Sequence, residues 1–162
     1  MVRRVRALRM LDGALPMTAT RSLFGRRVLT HALAPTPYVW GGKAPGGLDC
    51  SGLVTLALHE AGGPDLRQTA NTDVLWNTLP PVEEEQLEVG DLALYWGEHS
   101  KGPEDVSHVM LWAGAGIVLG QHWGGPGDVD PVVSRLAGKV TGARPLLYRT
   151  DFAGFRRLPL TA

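Results

Sequence analysis

The sequence predicts an α+β fold of one domain, with helices in the first half of the chain and antiparallel strands in the second. Residues 53–61 are apolar on nearly every side and follow polar residues, which is typical of a buried helix. Residues 107–122 contain two apolar runs around the Gly-rich turn 113–116, which indicates a β-hairpin. The length of 162 residues fits a single hydrophobic core.

The other elements follow in chain order. Residues 20–33 carry apolar side chains at helical spacing behind Thr20 as N-cap, and Pro35 ends that helix. We predict an extended aromatic segment at 38–40, whose Trp40 packs in the core, a helix that begins near Asp49 or Ser51 and ends at 62–64, a helical turn at 70–79, and strands at 91–96, 107–112, 117–122 and 144–149.

Composition and charge exclude several classes of protein. With 44% hydrophobic and 20% charged residues, the chain is not expected to be disordered. A net charge of zero argues against a general nucleic-acid binder. The zero conceals a pattern, because residues 1–31 carry +6, residues 32–130 carry −11 and residues 131–162 carry +5. The acidic middle of the chain is where we look for chemistry.

The N-terminal end is expected to be a basic segment, residues 1–19, in front of a single domain over residues 20–162. It begins like a signal peptide, but Arg9, Asp12 and Pro16 interrupt the apolar stretch that export requires. No run of 18 apolar residues is present. We therefore expect a soluble protein without a signal peptide or a transmembrane segment.

Cys50 is the single cysteine, so an internal disulfide is excluded. A lone cysteine is often a small buried core residue. Cys50, however, follows a Gly-rich loop, begins an apolar helix and lies between Asp49 and Ser51. The free N–H groups of a first helical turn stabilise a thiolate, lower its pKa and can bind an oxyanion. A structural thiol and a nucleophile both fit these residue types.

A nucleophilic thiol needs a base, and the hairpin offers two histidines. His108 begins one strand and His122 ends its antiparallel neighbour, so the two side chains are expected to lie close together. This suits a base and the group that orients it, although two unrelated strand histidines would give the same pattern. A zinc site of Cys50, His108 and His122 lacks the tight spacing of metal ligands, so we expect no metal and no cofactor. The remaining histidines, at 31, 59 and 99, are expected to be surface or capping residues.

The segment PYVWGGKAPGGLDCSGLV at 37–54 resembles the signature of the NlpC-type cell-wall cysteine peptidases, a bacterial and phage family. LRQTANT at 66–72, LEVGDLALYW at 87–96 and SHVMLWAGAGIVLG at 107–120 are similar to further segments of that family. The tail RPLLYRTDFAGFRRL at 144–158 resembles the ends of phage-type members. The resemblance implies a papain-like fold, in which the cysteine at a helix N-terminus packs on an antiparallel sheet that carries the histidine.

The resemblance also implies roles for individual residues. Cys50 would be the nucleophile and His108 the general base. Tyr38 would line the nucleophile pocket, while Asp49 and Ser51 would contact the amine end of the substrate. Asp49 could equally be a helix cap alone.

The third member of the catalytic group departs from the family pattern. The family places a polar residue twelve positions after the base histidine, and this chain has Gly120 there. Side chains alternate across a strand, so His122 returns to the face of position 120 whereas Gln121 points away unless a bulge intervenes. We expect His122 to be the third residue, with Gln121 as the alternative.

The activity that the resemblance implies is cysteine-dependent hydrolysis of an amide bond in peptidoglycan stem peptides, most often after γ-D-Glu. An N-acetylmuramoyl-L-alanine amidase is the close alternative. A catalytically weak structural module of a phage tail or particle is the third hypothesis, and Gly120 favours it. No specific nucleic acid is expected as partner. The protein would stay cytoplasmic until it is released or carried on a phage particle, and would act at the cell wall.

Overall fold

A computed structural model describes residues 19–97 and 105–162 of the chain. The helices are α1 (Arg21–Leu33), α2 (Cys50–Glu60), α3 (Thr72–Thr78) and α4 (Pro131–Leu136), with 3₁₀ turns at Glu84–Gln86 and Leu146–Tyr148. The strands are β1 (Lys43–Ala44), β2 (Gly47–Leu48), β3 (Pro81–Val82), β4 (Leu92–Tyr95), β5 (His108–Gly114), β6 (Ile117–Gln121), β7 (Thr141–Pro145) and β8 (Phe152–Arg156). None of the described helices has the length and hydropathy that crossing a membrane requires.

Six strands form one antiparallel sheet in the order β3-β8-β4-β5-β6-β7, while β1 and β2 form a separate small hairpin. Helices α1 and α2 pack on one face of the sheet, against buried side chains that include Leu94 and Val109. A second cluster on the opposite face includes Tyr95 and Met110. The register of β4 and β5 pairs Tyr95 with His108, so the histidine begins its strand beside the end of a central strand.

The predicted α+β class is confirmed, and the helices at 20–33, 49–62 and 70–79 are close to α1, α2 and α3. Thr20 is the N-cap of α1 as predicted, and its side chain accepts a hydrogen bond from the N–H of Leu23. The predicted hairpin at 107–122 is β5 and β6. Residues 1–18 of the predicted basic segment, and His99, lie outside the described residues.

Two details of the predicted elements are wrong. The strand placed at 144–149 ends at Pro145, because the N–H of Leu146 bonds to Gly116 O and the chain turns into a 3₁₀ helix. Trp40 is 52% exposed rather than packed in the core, whereas Tyr38 beside it is buried. Strand β8 was not predicted; it pairs with β3 and β4 although it contains Gly154 at φ +150°.

The Asp91 carboxylate joins three separate parts of the fold. It is fully buried, and Arg157 donates two hydrogen bonds to it at 2.8 and 2.7 Å. Arg21 of α1 lies 3.2 Å from the same carboxylate, and the Glu88 N–H donates at 2.8 Å. Burial raises the pKa of Asp91, but these hydrogen bonds and charges outweigh it and hold the pKa below its usual value.

We expect Asp91→Asn to lower the free energy of unfolding by about 2 kcal/mol, because two guanidinium groups lose their buried counter-charge. Urea unfolding at pH 7 measures this effect. Asp65→Asn is the matched control, since Asp65 forms an exposed ion pair with Arg67 and its loss is expected to cost less than about 1 kcal/mol. Equal losses in the two variants would contradict the structural role of Asp91.

Candidate active site

Close backbone packing fixes the start of α2 against the β1–β2 hairpin. A Cβ on Gly52 would lie 2.0 Å from the carbonyl oxygen of Gly42, and a Cβ on Gly42 would lie 2.3 Å from Gly47 O. The N–H of Asp49 donates to Gly42 O at 3.1 Å. A side chain at Gly52 would push the helix away from the hairpin, and one at Gly42 would collide with Gly47 inside the hairpin, so the two glycines set the position of Cys50.

Asp49 is the N-cap of α2 and leaves Cys50 as the first helical residue. Its carboxylate accepts hydrogen bonds from the N–H of Gly52 and from Ser51 Oγ. The Lys43 ammonium donates to Asp49 Oδ1 at 3.2 Å and to Ser51 Oγ at 2.9 Å. Two polar side chains that flank Cys50 in sequence therefore already bind an ammonium group.

The thiol of Cys50 lies against the backbone at the start of β5, with Sγ 4.0 Å from Ser107 O. Burial raises the pKa of the thiol to about 11, and the charge of Asp49 acts in the same direction. The N–H groups of Val109 and Ser51 and the charge of Lys43 oppose this shift but do not cancel it. The expectation of a lowered thiol pKa is therefore wrong for the free protein, in which Cys50 is a neutral thiol at pH 7.

His108 is buried at the start of β5 and faces Tyr95, whose ring centroid lies 5.6 Å from that of the imidazole. Burial, together with the charge of Arg149, lowers the pKa of His108 to about 3. Its Nε2 lies 2.8 Å from the hydroxyl oxygen of Tyr148. The imidazole is consequently neutral at pH 7 and free to accept a proton.

His122 and Gln121, the two candidates for the third position, differ in what they contact. Gln121 is fully buried and its Nε2 donates to Thr36 O at 2.9 Å. His122 is buried beside Gly142, and its Nδ1 has no hydrogen-bond partner among the described residues. A positive charge on His122 would lower the pKa of His108, so the two rings interact electrostatically. The hydrogen-bond partner of the His108 ring is Tyr148 and not His122. The role of His122 stays a prediction.

Tyr38 is buried, and its ring fills the space beside Gly124. Burial raises the pKa of its hydroxyl, and negative charge on Cys50, Asp49 or Asp128 would add to this shift. The structure thus brings Tyr38, Asp49 and Ser51 to the surroundings of Cys50, and their roles toward a substrate stay a prediction. No group of three or more His, Cys, Asp or Glu side chains within 19–97 and 105–162 could hold a metal ion.

Sequence reasoning missed two polar residues of the site, Lys43 and Tyr148. Lys43 stands in the Gly-rich loop seven residues before Cys50, and only its charge could have pointed to Asp49. Tyr148 lies 40 residues after His108 in a segment predicted as strand, so no spacing rule connects them.

A cysteine at the N-terminus of a helix that packs on an antiparallel sheet, with a histidine at the start of a central strand, is the papain-like arrangement. The model of the NlpC/P60 family matches residues 35–140, and the chain belongs to this family. The family resemblance and the papain-like α+β fold expected from the sequence are both confirmed.

Two curated relatives illustrate the similarity. A probable endopeptidase of Mycobacterium tuberculosis, Rv2190c, is 34% identical over 109 residues, which cover 67% of this chain and 25% of the relative. The gamma-DL-glutamyl hydrolase of Bacillus subtilis is 35% identical over 81 residues, which cover 49% of this chain and 18% of the relative. The chain therefore spans a quarter or less of the length of these two relatives.

Solved structures show the same fold. The P60 domain of the Mycobacterium avium subspecies paratuberculosis antigen MAP1204 superposes with a TM-score of 0.63 at 19% identity, over 88% of this chain and 96% of that domain. RipD of Mycobacterium tuberculosis, described as a non-catalytic NlpC/p60 domain protein adapted to peptidoglycan binding, gives a TM-score of 0.54 at 22% identity, over 83% of this chain and 96% of RipD.

We expect Gly52→Ala to destabilise the protein by about 3 kcal/mol, because the new methyl group collides with a backbone carbonyl that cannot rotate away. Gly46→Ala is the matched control, since a Cβ at Gly46 has no neighbour within 4 Å. Thermal unfolding monitored by circular dichroism compares the two. A Gly52→Ala protein as stable as the control would show that the hairpin is not packed on α2 as described.

The alkylation rate of Cys50 is expected to rise about tenfold per pH unit between pH 7 and 9.5, because only the thiolate reacts and the thiol pKa is raised to about 11. Mass spectrometry after iodoacetamide treatment measures this rate without background, since the chain has a single cysteine. In urea, where the protein is unfolded, the alkylation rate should level off at a pH near the ordinary pKa of a cysteine thiol. A plateau between pH 6 and 8 in the folded protein would instead reveal a thiolate–imidazolium pair.

Proposed function

We propose that the protein is a cysteine-dependent hydrolase that cleaves an amide bond in the stem peptides of bacterial peptidoglycan. The observation that carries the proposal is the position of Cys50, whose Sγ at the N-terminus of α2 lies against the strand that begins with His108. Membership of the NlpC/P60 family and the endopeptidase names of the matched relatives support it. The cell wall is then the place of action, whether the protein is host-made or phage-delivered.

The Cys50 thiol and the His108 imidazole are both neutral at pH 7, which suits a concerted first step. His108 takes the proton of the Cys50 thiol while Sγ attacks the scissile carbonyl carbon, and the carbonyl electron pair moves to the oxygen. The first-turn N–H groups of α2 that do not serve the Asp49 cap stabilise this oxyanion. The protonated His108 then gives its proton to the leaving amine. Water, deprotonated by His108, hydrolyses the thioester and regenerates the thiol.

The polar residues around Cys50 support an endopeptidase rather than a muramoyl amidase. Asp49 and Ser51 bind the ammonium of Lys43 in this structure, so the same two side chains can bind the free amino group of a stem peptide after Lys43 moves aside. An uncut link between sugar and peptide offers no such amine, because the alanine nitrogen is part of the scissile amide. The gamma-DL-glutamyl hydrolase of Bacillus subtilis supports γ-D-Glu as the residue on the acyl side of the bond.

We expect Cys50→Ala to lower the release of fragments from defined stem peptides by at least about a thousandfold, because no other nucleophile replaces Sγ. Mass spectrometry of the fragments identifies the bond that is cleaved. The expected product is a fragment that begins with the free amino group of the stem peptide and ends with γ-D-Glu. Asp65→Asn, whose ion pair with Arg67 is exposed, serves as an active control. Undiminished hydrolysis by Cys50→Ala would refute the mechanism.

A wall-binding module without turnover is the second candidate. Gly120 at the position where the family places a polar residue, and the raised pKa of the Cys50 thiol, both favour it. RipD, a fold relative described as non-catalytic and peptidoglycan-binding, illustrates such a module. Wild-type protein that sediments with purified walls, yet releases no fragment from walls or defined peptides, would favour binding over hydrolysis, including a structural role on a phage particle.

A further inference from the structure

The hydrogen bond between Tyr148 and His108 engages one of the two nitrogens of the base. Tyr148 Oη lies 2.8 Å from His108 Nε2, and in the proposed mechanism Nδ1 is then the ring nitrogen that receives the proton of Cys50. An imidazole nitrogen accepts a proton only when it carries none, and in a neutral ring the proton then resides on the other nitrogen. A base that works at Nδ1 therefore needs its proton on Nε2, with an acceptor opposite.

We propose that Tyr148 is the positioning residue of His108, whose hydroxyl oxygen accepts the Nε2–H hydrogen bond and holds the ring in the tautomer that leaves Nδ1 free for the Cys50 proton. The inference rests on the proposed hydrolytic function. It assigns to a tyrosine of the C-terminal region the role that the sequence analysis gave to His122.

The segment that carries Tyr148 is anchored on both sides. The N–H of Leu146 donates to Gly116 O, and the hydroxyl of Tyr95 donates to Leu146 O at 2.8 Å. The rings of Tyr95 and Tyr148 pack edge to face with centroids 5.7 Å apart. Directly after Tyr148, Arg149 is paired with Asp151. The backbone and the ring of Tyr148 are thus held in place by contacts that do not involve His108.

The hydroxyl stays protonated at neutral pH, because burial raises the pKa of Tyr148 to about 12. A phenol can still accept through an oxygen lone pair. It carries no charge, so it orients the ring and accepts the Nε2–H hydrogen bond without pulling the resting His108 into its protonated form. This agrees with the lowered pKa of His108.

The other candidates for this role are used or blocked. A Cβ at position 120 would lie 2.6 Å from Met110 Sδ, so the methionine fills the space of a side chain there. The amide of Gln121 is engaged with Thr36 O. His122 makes no hydrogen bond to the ring of His108 among the described residues, in which Tyr148 is the partner of that ring.

Nitrogen-15 NMR of the free protein tests the inference without any substrate. In wild-type protein at pH 7 the His108 resonances should show a protonated Nε2 and an unprotonated Nδ1. Tyr148→Phe keeps the ring that packs on Tyr95 but removes the acceptor, so the two tautomers should become mixed. His122→Ala is the matched comparison and should leave the tautomer unchanged. An unchanged spectrum in Tyr148→Phe, or a shift in His122→Ala, would overturn the inference.

Kinetics supply the second readout. We expect Tyr148→Phe to lower kcat about tenfold, the contribution of one hydrogen bond, with KM within about twofold of wild type. The unfolding temperature should stay within about 4 °C, which separates loss of positioning from loss of fold. An unchanged kcat would contradict the positioning role. If wild-type protein hydrolyses nothing, the proposed function fails while the NMR result still decides the Tyr148 contact.

Discussion

The approach of two backbones, at Gly42 and Gly52, is the constraint on which the rest of the site depends. The carbonyl of Gly42 lies where a side chain of residue 52 would begin, and it also accepts the N–H of Asp49. This contact fixes the angle at which α2 leaves the hairpin. Because Cys50 is the first residue of α2, this angle also sets where its Sγ lies, which is 4.0 Å from Ser107 O at the start of β5.

The C-terminal region completes what the N-terminal half begins. Arg157 joins the buried Asp91 to the end of the chain, and β8 pairs with β4 inside the sheet. Between β7 and β8 the chain forms the 3₁₀ turn that ends with Tyr148, next to His108. The same segment that closes the core therefore also supplies the hydrogen-bond partner of His108, so the stability of the fold and the geometry of the candidate site depend on the same part of the chain.

Local signals made the main elements of the fold, and the position of Cys50 at a helix N-terminus, predictable. The cap at Thr20, the apolar run after Cys50 and the Gly-rich hairpin turn each act over a few residues, and the structure has the corresponding elements. Tyr148 was not predictable, because its contact with His108 joins positions 40 residues apart through a turn that was predicted as strand. The prediction of a lowered pKa for Cys50 was wrong for a related reason. Burial of the thiol by the whole fold raises its pKa by more than the helix N-terminus lowers it.

Under the proposed function, the charges next to Cys50 connect the free protein with substrate binding. The Asp49 carboxylate raises the thiol pKa, and the Lys43 ammonium partly offsets this. A substrate amine that displaces Lys43 brings its own positive charge to Asp49, so the electrostatic surroundings of Sγ are preserved when the exchange occurs. A substrate without a free amine would leave Lys43 in place and gain nothing from Asp49 or Ser51. Under the proposed function, selection for the amine would operate through exchange of one ammonium for another beside an uncharged thiol, and proton transfer from Cys50 to His108 would follow the arrival of the scissile carbonyl.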